Sequence, residues 1–370
     1  MSAAADQAGA GRVIMSTRML NVSAESLTGF VTGIFKGAGC NAAGAQDMAE
    51  CLVQTNLWGI DSHGVLRAPE YLKRFQSGAM NTNPEIKALK AGAGLEVLDA
   101  DNSAGYVAGR AAMSRAIELA KTGNIAAVGI INSNHCGAAS LYARMALEHG
   151  MIGIAMSNVA PNMVAPGGSK PITGNNPIAV AVPTFGEFPF VFDISLSAVS
   201  GGKILVAAKN GEQIPLGWAT DKEGRPTTDP NVGFKGFLLP MGGHKGFGLS
   251  LLVDILCGVI TGGSFQKQLK SMYVYPDDPS NTAHLMLVIN PLFLMDKEQL
   301  KERMAEFFET VKQSPMWDEE SEMLLPGEIE YRKEKERRSA GIPVPAPLYD
   351  ELVQIGKDMG LDAALSMVSV

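Results

Sequence analysis

Residues 126–158, AAVGIINSNHCGAASLYARMALEHGMIGIAMSN, decide the fold class. AAVGIIN and IGIAMSN are short runs rich in β-branched residues, and the segment between them sets Ala138, Leu141 and Met145 on one helical face. Strand, helix and strand in close succession form the unit of an α/β layer. His135 falls where the first strand ends and the helix, expected over about 137 to 149, begins. Ligand sites of open α/β sheets form there, although a histidine at a strand end can also simply satisfy local backbone groups. His149, near the helix end, suits the negative end of the helix dipole.

Upstream, EVLDA (96–100) reads as a strand and about 104 to 122 as a helix, continuing the α/β pattern. The opening 80 or so residues are helical: SAESLTGFVTGIFK with Ser23 as N-cap and Gly37 and Gly39 as stops, then about 42 to 58, then about 67 to 77. Downstream come Gly- and Pro-rich turns, the strands IAVAVP and FPFVFDIS, a helix with Ile204 and Leu205, and the apolar helix LSLLVDILCGVI. From about 297 the chain is helical again, closing with Leu352 and Ile355. Helical ends around an α/β middle predict one helical lobe from residues 19–82 with 297–370, and a second domain from 83–296. Residues 1–18, small and polar without periodicity, are expected to be a disordered tail.

Composition limits the function classes. The chain has 370 residues, 46% hydrophobic and 19% charged, and a formal net charge of −7. Mild acidity without a basic, aromatic-interleaved run argues against a nucleic-acid surface. The four cysteines form no CxxC, so no zinc or redox dithiol site is indicated, and with 19 methionines they suit a cytoplasmic setting. No apolar stretch reaches membrane-spanning length, and the N-terminus lacks the apolar core of a signal peptide.

Four constellations could do chemistry. In GIDSHGVLRAPEY (59–71), His63 can exchange a proton near neutral pH, and Arg67 can grip a carboxylate through two parallel bonds. The plainer alternative is that His63 caps the helix while Arg67 pairs with Asp61 or Glu70. His135 is the second. Asp193, ending the run PFVF, could bind ribose hydroxyls, orient a histidine, or cap a helix beginning near Ser197. In MGGHKGFGL (241–249), glycines at a helix start with Lys245 beside them make a plausible anion seat. It is not a Walker A loop, and the loose GxG at Gly37 follows a helix, so no Rossmann fingerprint is present.

SHGVLRAPEY, SNHCGAASLYA, GGSKPITGNNPIAVAVP, VFDIS, GRPTTDP, GHKGFGL and LPGEIE occur in an order that resembles the malate/L-lactate dehydrogenase type 2 family of NAD(P)-dependent oxidoreductases. That family includes ureidoglycolate, sulfolactate and diketogulonate dehydrogenases and cyclic imino acid reductases. The resemblance implies an α/β, non-Rossmann fold with a largely antiparallel sheet, NAD or NADP as cofactor, a small carboxylate substrate and a homodimer. It implies His63 as proton donor, His135 as the second acid or base, and Ser62, Arg67 and His284 near the substrate. It implies dinucleotide contacts from Asn176, Asp193, Ile194, Ser195, His244, Lys245, Gly246, Gly327 and Glu328. The chain departs from the family at GNNP (174–177) and at ISLS after Asp193. The expected reaction interconverts a 2-keto and a 2-hydroxy acid. The alternatives are cyclic imino acid reduction and a ligand-binding module without catalysis.

Overall fold

The fold is described from a computed structural model over residues 18–318, 320–361 and 365–368. The expected tail lies outside these residues except for Arg18, whose carbonyl accepts from the Ala346 amide.

The chain opens with β1 (Met19–Val22), α1 (Ala24–Gly37), α2 (Ala42–Leu57) and α3 (Ala68–Gln76). Ser23 caps α1 through its hydroxyl, and Asn41 caps α2. Two 3₁₀ turns, Asp61–His63 and Val65–Arg67, separate α2 from α3. The middle holds β2 (Lys87–Ala91), β3 (Leu95–Asp99), α4 (Gly105–Gly123), β4 (Ile125–Ser133), α5 (Ser140–Met145) and β5 (Ile152–Ser157). After β6 (Met163–Val164) and β7 (Pro171–Thr173) come β8 (Ile178–Val182), β9 (Phe190–Ile194) and α6 (Gly201–Asn210). Then follow β10 (Ala219–Thr220), β11 (Pro226–Thr227), α7 (Pro230–Lys235), β12 (Phe237–Leu238) and α8 (His244–Asp254). The chain closes through β13 (Thr282–Ile289), α9 (Lys297–Lys312), α10 (Glu328–Ala340), β14 (Ile342–Pro345) and α11 (Ala346–Asp358).

A seven-stranded sheet in the order β2-β3-β4-β13-β5-β8-β9 forms the centre. Only β3 and β4 run parallel, joined by α4, and the other pairings are antiparallel. Helix α4 covers one face with its small residues Ala108, Ala112, Ala116 and Ala120, and merges with the core of α1, α2 and α3. On the other face Val253 and Cys257, from α8 and the turn after it, pack with Ile131, Met156 and Ala283. A five-stranded sheet, β11-β10-β12-β6-β7, has its own small core with Ile204 of α6.

Three local expectations change. The helix after His135 starts at Ser140, because residues 134–139 run irregularly against the start of α4. A Cβ on Gly105 would stand 2.2 Å from the Asn134 carbonyl oxygen, so only glycine permits that approach. The helix expected near Ser197 starts at Gly201. The helical ends also contain a two-stranded ribbon, β1 with β14. Among the described residues no helix is long and apolar enough to cross a membrane.

Candidate active site

His63 and His135 face each other although they come from different parts of the fold. Their rings stack with centroids 5.7 Å apart and planes 24° from parallel. His63 sits on the 3₁₀ turn after α2, with Nδ1 2.9 Å from the Ser62 hydroxyl. His135 leaves the end of β4, and its Nδ1 lies 2.5 Å from the Tyr71 hydroxyl on α3. Behind Tyr71, the Tyr106 hydroxyl of α4 lies at 3.3 Å.

Arg67 closes one side of this pair. Its Nε donates to the Ser62 carbonyl at 2.9 Å and one terminal nitrogen reaches Glu70 at 3.2 Å, while the guanidinium lies over the Tyr273 ring. The plainer alternative is thus partly realised, since Arg67 does pair with Glu70. Asp61 pairs instead with Arg337 of α10. Arg74, almost fully buried, donates to the carbonyls of Pro276 and Asp278 and to the Asn134 side chain at 2.8, 3.0 and 3.0 Å. It thereby ties α3, the segment below Tyr273 and the residue before His135 into one frame.

Burial, and then the Arg67 guanidinium, push the His63 imidazole down to about 4. His135 is held well below the ordinary histidine range by burial and then by the nearby charges of His63 and Arg67. Both rings are therefore neutral at pH 7 in the free protein. A carboxylate on Arg67 would cancel the second cause acting on His63 and favour its protonated form.

His284 is fully buried in the sheet between β4 and β5. Its two ring nitrogens are 2.9 Å from the Ser157 hydroxyl and 2.8 Å from the Ser133 hydroxyl, so it braces the strand that delivers His135.

The residues implied for the dinucleotide meet around β9. The Asp193 carboxylate accepts from the Ser140 amide at 2.8 Å, capping the short helix after His135 and not a helix near Ser197. Burial raises its pKa even so. Ser195 lies beside Ser197, and the next carbonyl, Leu196, accepts from the Met241 amide at 2.9 Å, which brings Ile194 and Ser195 to the start of α8. There His244 and Lys245 are exposed, and Cβ atoms on Gly242, Gly243 and Gly248 would meet open space. This glycine-floored helix start, with a cation beside it, fits an anionic dinucleotide. Gly246 is buried at the base. Asn176 is buried, and its amide serves Val159 and Ser250. Gly327 packs against β9, where the Val191 amide bonds Pro326. The Glu328 carboxylate is taken by Lys312, Arg332 and the Leu325 amide, so its contacts here hold α9 to α10.

Tyr71, Tyr106, Arg74, Tyr273, Asn56 and Arg337 escaped the sequence reading. Tyr71 stands four residues after Arg67, the N-cap of α3, a spacing that could have flagged it. The others reach the site from distant chain positions. Among the described residues, no group of three or more His, Cys, Asp or Glu could hold a metal ion.

A family model described as malate/L-lactate dehydrogenase matches residues 22–353. Malate dehydrogenase of Pyrococcus abyssi is 37% identical over 350 residues, covering 92% of this chain and 96% of that protein. Ureidoglycolate dehydrogenase (NAD(+)) of Escherichia coli K12 is 33% identical, covering 90% and 95%. The structure of sulfolactate dehydrogenase from Methanocaldococcus jannaschii superposes with a TM-score of 0.87 at 34% identity, over 93% of this chain and 98% of that one. That of delta1-piperideine-2-carboxylate reductase from Pseudomonas syringae gives 0.82 at 29% identity, over 90% and 99%. The match of the model across most of the chain, together with these relatives, shows that the protein belongs to the malate/L-lactate dehydrogenase family.

Proposed function

We propose that the protein is an NAD(P)-dependent dehydrogenase that interconverts a small 2-keto acid and its 2-hydroxy acid, with His63 as the proton donor. The convergence of His63, His135 and the Arg67 guanidinium supports this reading. Arg67 holds the substrate carboxylate, and Tyr273 supports the guanidinium from behind. A nicotinamide cofactor, when bound, supplies or takes up the hydride at C2. The C2 oxygen is one bond from the carboxylate-bearing carbon, so an acid on the turn next to the carboxylate grip lies within reach of it. His135, held below the ordinary histidine range first by burial, also has the Arg67 and Arg74 cations nearby. Ser62 can accept from or donate to Nδ1 and so serves both protonation states of His63. Tyr71 does the same for His135, which we assign to orienting the substrate.

The glycine-floored start of α8 and the exit of β9 support a dinucleotide seat formed by Asn176, Asp193, Ile194, Ser195, His244, Lys245 and Gly246, with Gly327 beside β9. The proposal includes the division into a lobe from 19–82 with 297–370 and a cofactor domain from 83–296. The β1–β14 ribbon favours it. It also includes a homodimer, supported by the exposed apolar row Leu249, Leu252, Ile255, Val259 and Ile260 along α8 and the turn after it.

NAD(P)H oxidation measured with oxaloacetate, sulfopyruvate, pyruvate, a glyoxylate derivative and piperideine carboxylate tests the reading. Turnover of one or more keto acids is expected. Turnover of piperideine carboxylate alone would replace it with imino acid reduction, a second reading favoured by the piperideine-2-carboxylate reductase neighbour.

A further inference from the structure

His63 lies in a weak piece of backbone. The 3₁₀ turn Asp61–His63 is closed by bonds from the His63 amide to Ile60 and from the Gly64 amide to Asp61, at 3.0 and 3.2 Å. Single 3₁₀ turns have poor hydrogen-bond geometry and do not hold their shape alone. Ser62 and Asp61 are exposed, so core packing does not hold them either.

The turn is gripped from outside. Both Asp61 carboxylate oxygens meet the Arg337 guanidinium, at 2.7 and 3.0 Å, in a fork-to-fork pair. The Arg337 side chain, only 12% exposed, also donates to the Asn56 carbonyl. Asn56 completes the ring: its amide nitrogen donates to Asp61 at 2.6 Å, and its side-chain oxygen accepts from the Val65 amide at 2.8 Å. One buried amide therefore bonds the chain on both sides of His63. Gly64 is the residue that lets it in, because a Cβ there would stand 2.2 Å from the Asn56 oxygen.

We propose that Asn56, Asp61 and Arg337 act as positioning residues that fix the turn bearing His63, so that helix α10 sets the attitude of the proton donor across the site. This rests on the reading of His63 as the donor. A half-exposed ion pair adds little to global stability, so the effect of the clamp is local. Lysine cannot reproduce the planar two-bond grip.

Arg337→Ala, Arg337→Lys and the isosteric Asp61→Asn, made in the full chain, are compared by steady-state kinetics and amide hydrogen exchange. Exchange in a peptide spanning 61–67 should rise about tenfold or more, while a β4 peptide, 125–133, stays unchanged. The kcat should fall about 10- to 100-fold with cofactor KM unmoved, as expected of a misplaced acid. Arg337→Lys should recover a small part of the loss, and Asp61→Asn should follow Arg337→Ala. Unchanged exchange over 61–67 overturns the clamp. So does faster exchange with full kcat, provided that His63→Gln abolishes turnover. Should His63→Gln itself leave kcat intact, the donor assignment fails, and the exchange result still decides whether the clamp holds the turn.

Discussion

The two histidines reach the same space from unlike supports. His135 is built into the central sheet: its strand is braced by His284, its preceding residue by Arg74, and its ring by Tyr71, which Tyr106 backs in turn. His63 stands on a turn whose holding contacts come from α2 and α10, and its Nδ1 meets a surface serine. A ring held in a frame suits orientation of a substrate. A ring on a gripped, solvent-facing turn can exchange its proton with water between turnovers, which an acid must do.

The contrast is broken most severely by removing each ring in turn. Loss of a positioned general acid lowers rate about 10²- to 10⁴-fold. His63→Gln is therefore expected to lower kcat by that factor with cofactor KM intact, and His135→Gln to raise substrate KM with the smaller effect on kcat. The reverse pattern in steady-state kinetics would exchange their roles.

Next in size is the shared grip. Bonds to a charged group contribute about 1.5–3 kcal/mol each, so Arg67→Ala should raise the KM for the keto acid about 10- to 100-fold. Turnover of the same substrate as its neutral methyl ester should be much less affected. Equal losses for acid and ester would remove Arg67 from carboxylate binding.

The supports themselves give a smaller and sharper comparison. Tyr71→Phe leaves the buried Nδ1 of His135 without a partner, at a cost of about 1–3 kcal/mol, whereas Ser62→Ala opens His63 to water, which can replace the hydroxyl. Chemical denaturation should show the first loss and almost none of the second. Equal stabilities would mean that His135 is no more tightly framed than His63.

The mildest test is pH. The pKa of His63 and His284 in the folded protein is about 4, against about 6.5 for an unperturbed histidine. The unfolded chain thus binds more protons between these values, and stability rises with pH there. Folding free energy should be fully supported above about pH 6.5 and decline as pH falls toward 4. The slope should be shallower in His63→Gln, and a slope unchanged by that substitution would show His63 to be unperturbed.

Much of this was legible in the chain. The 3.6-residue periodicity placed α1, α2, α3 and α4 within a residue or two, and β-branched runs placed β4 and β5, because each is a long local pattern. The β1–β14 ribbon was not legible, since MLNV and IPVP are too short to announce strands and find their partners only far along the chain. The motif GIDSHGVLRAPEY marked His63 and Arg67. It could not show that Asp61 answers to Arg337, because ion pairs between distant helices leave no spacing to read. Asp193 was flagged as a cofactor-binding carboxylate or as the cap of a helix near Ser197, but the helix whose amide it takes, α5, precedes it in sequence.

The ribbon has a consequence for how the molecule comes into being. Met19 pairs with Pro345, so β1 lacks its ribbon partner until Pro345 has been made. At the usual elongation rate of about 5–20 residues per second, that wait is on the order of 16 to 65 s. During it, α1 and α2 are finished but lack the surface of α10 and α11 against which they settle. The turn bearing His63 likewise lacks Arg337. The central sheet, whose last strand ends at Ile289, can therefore assemble before the turn bearing His63 has met Arg337.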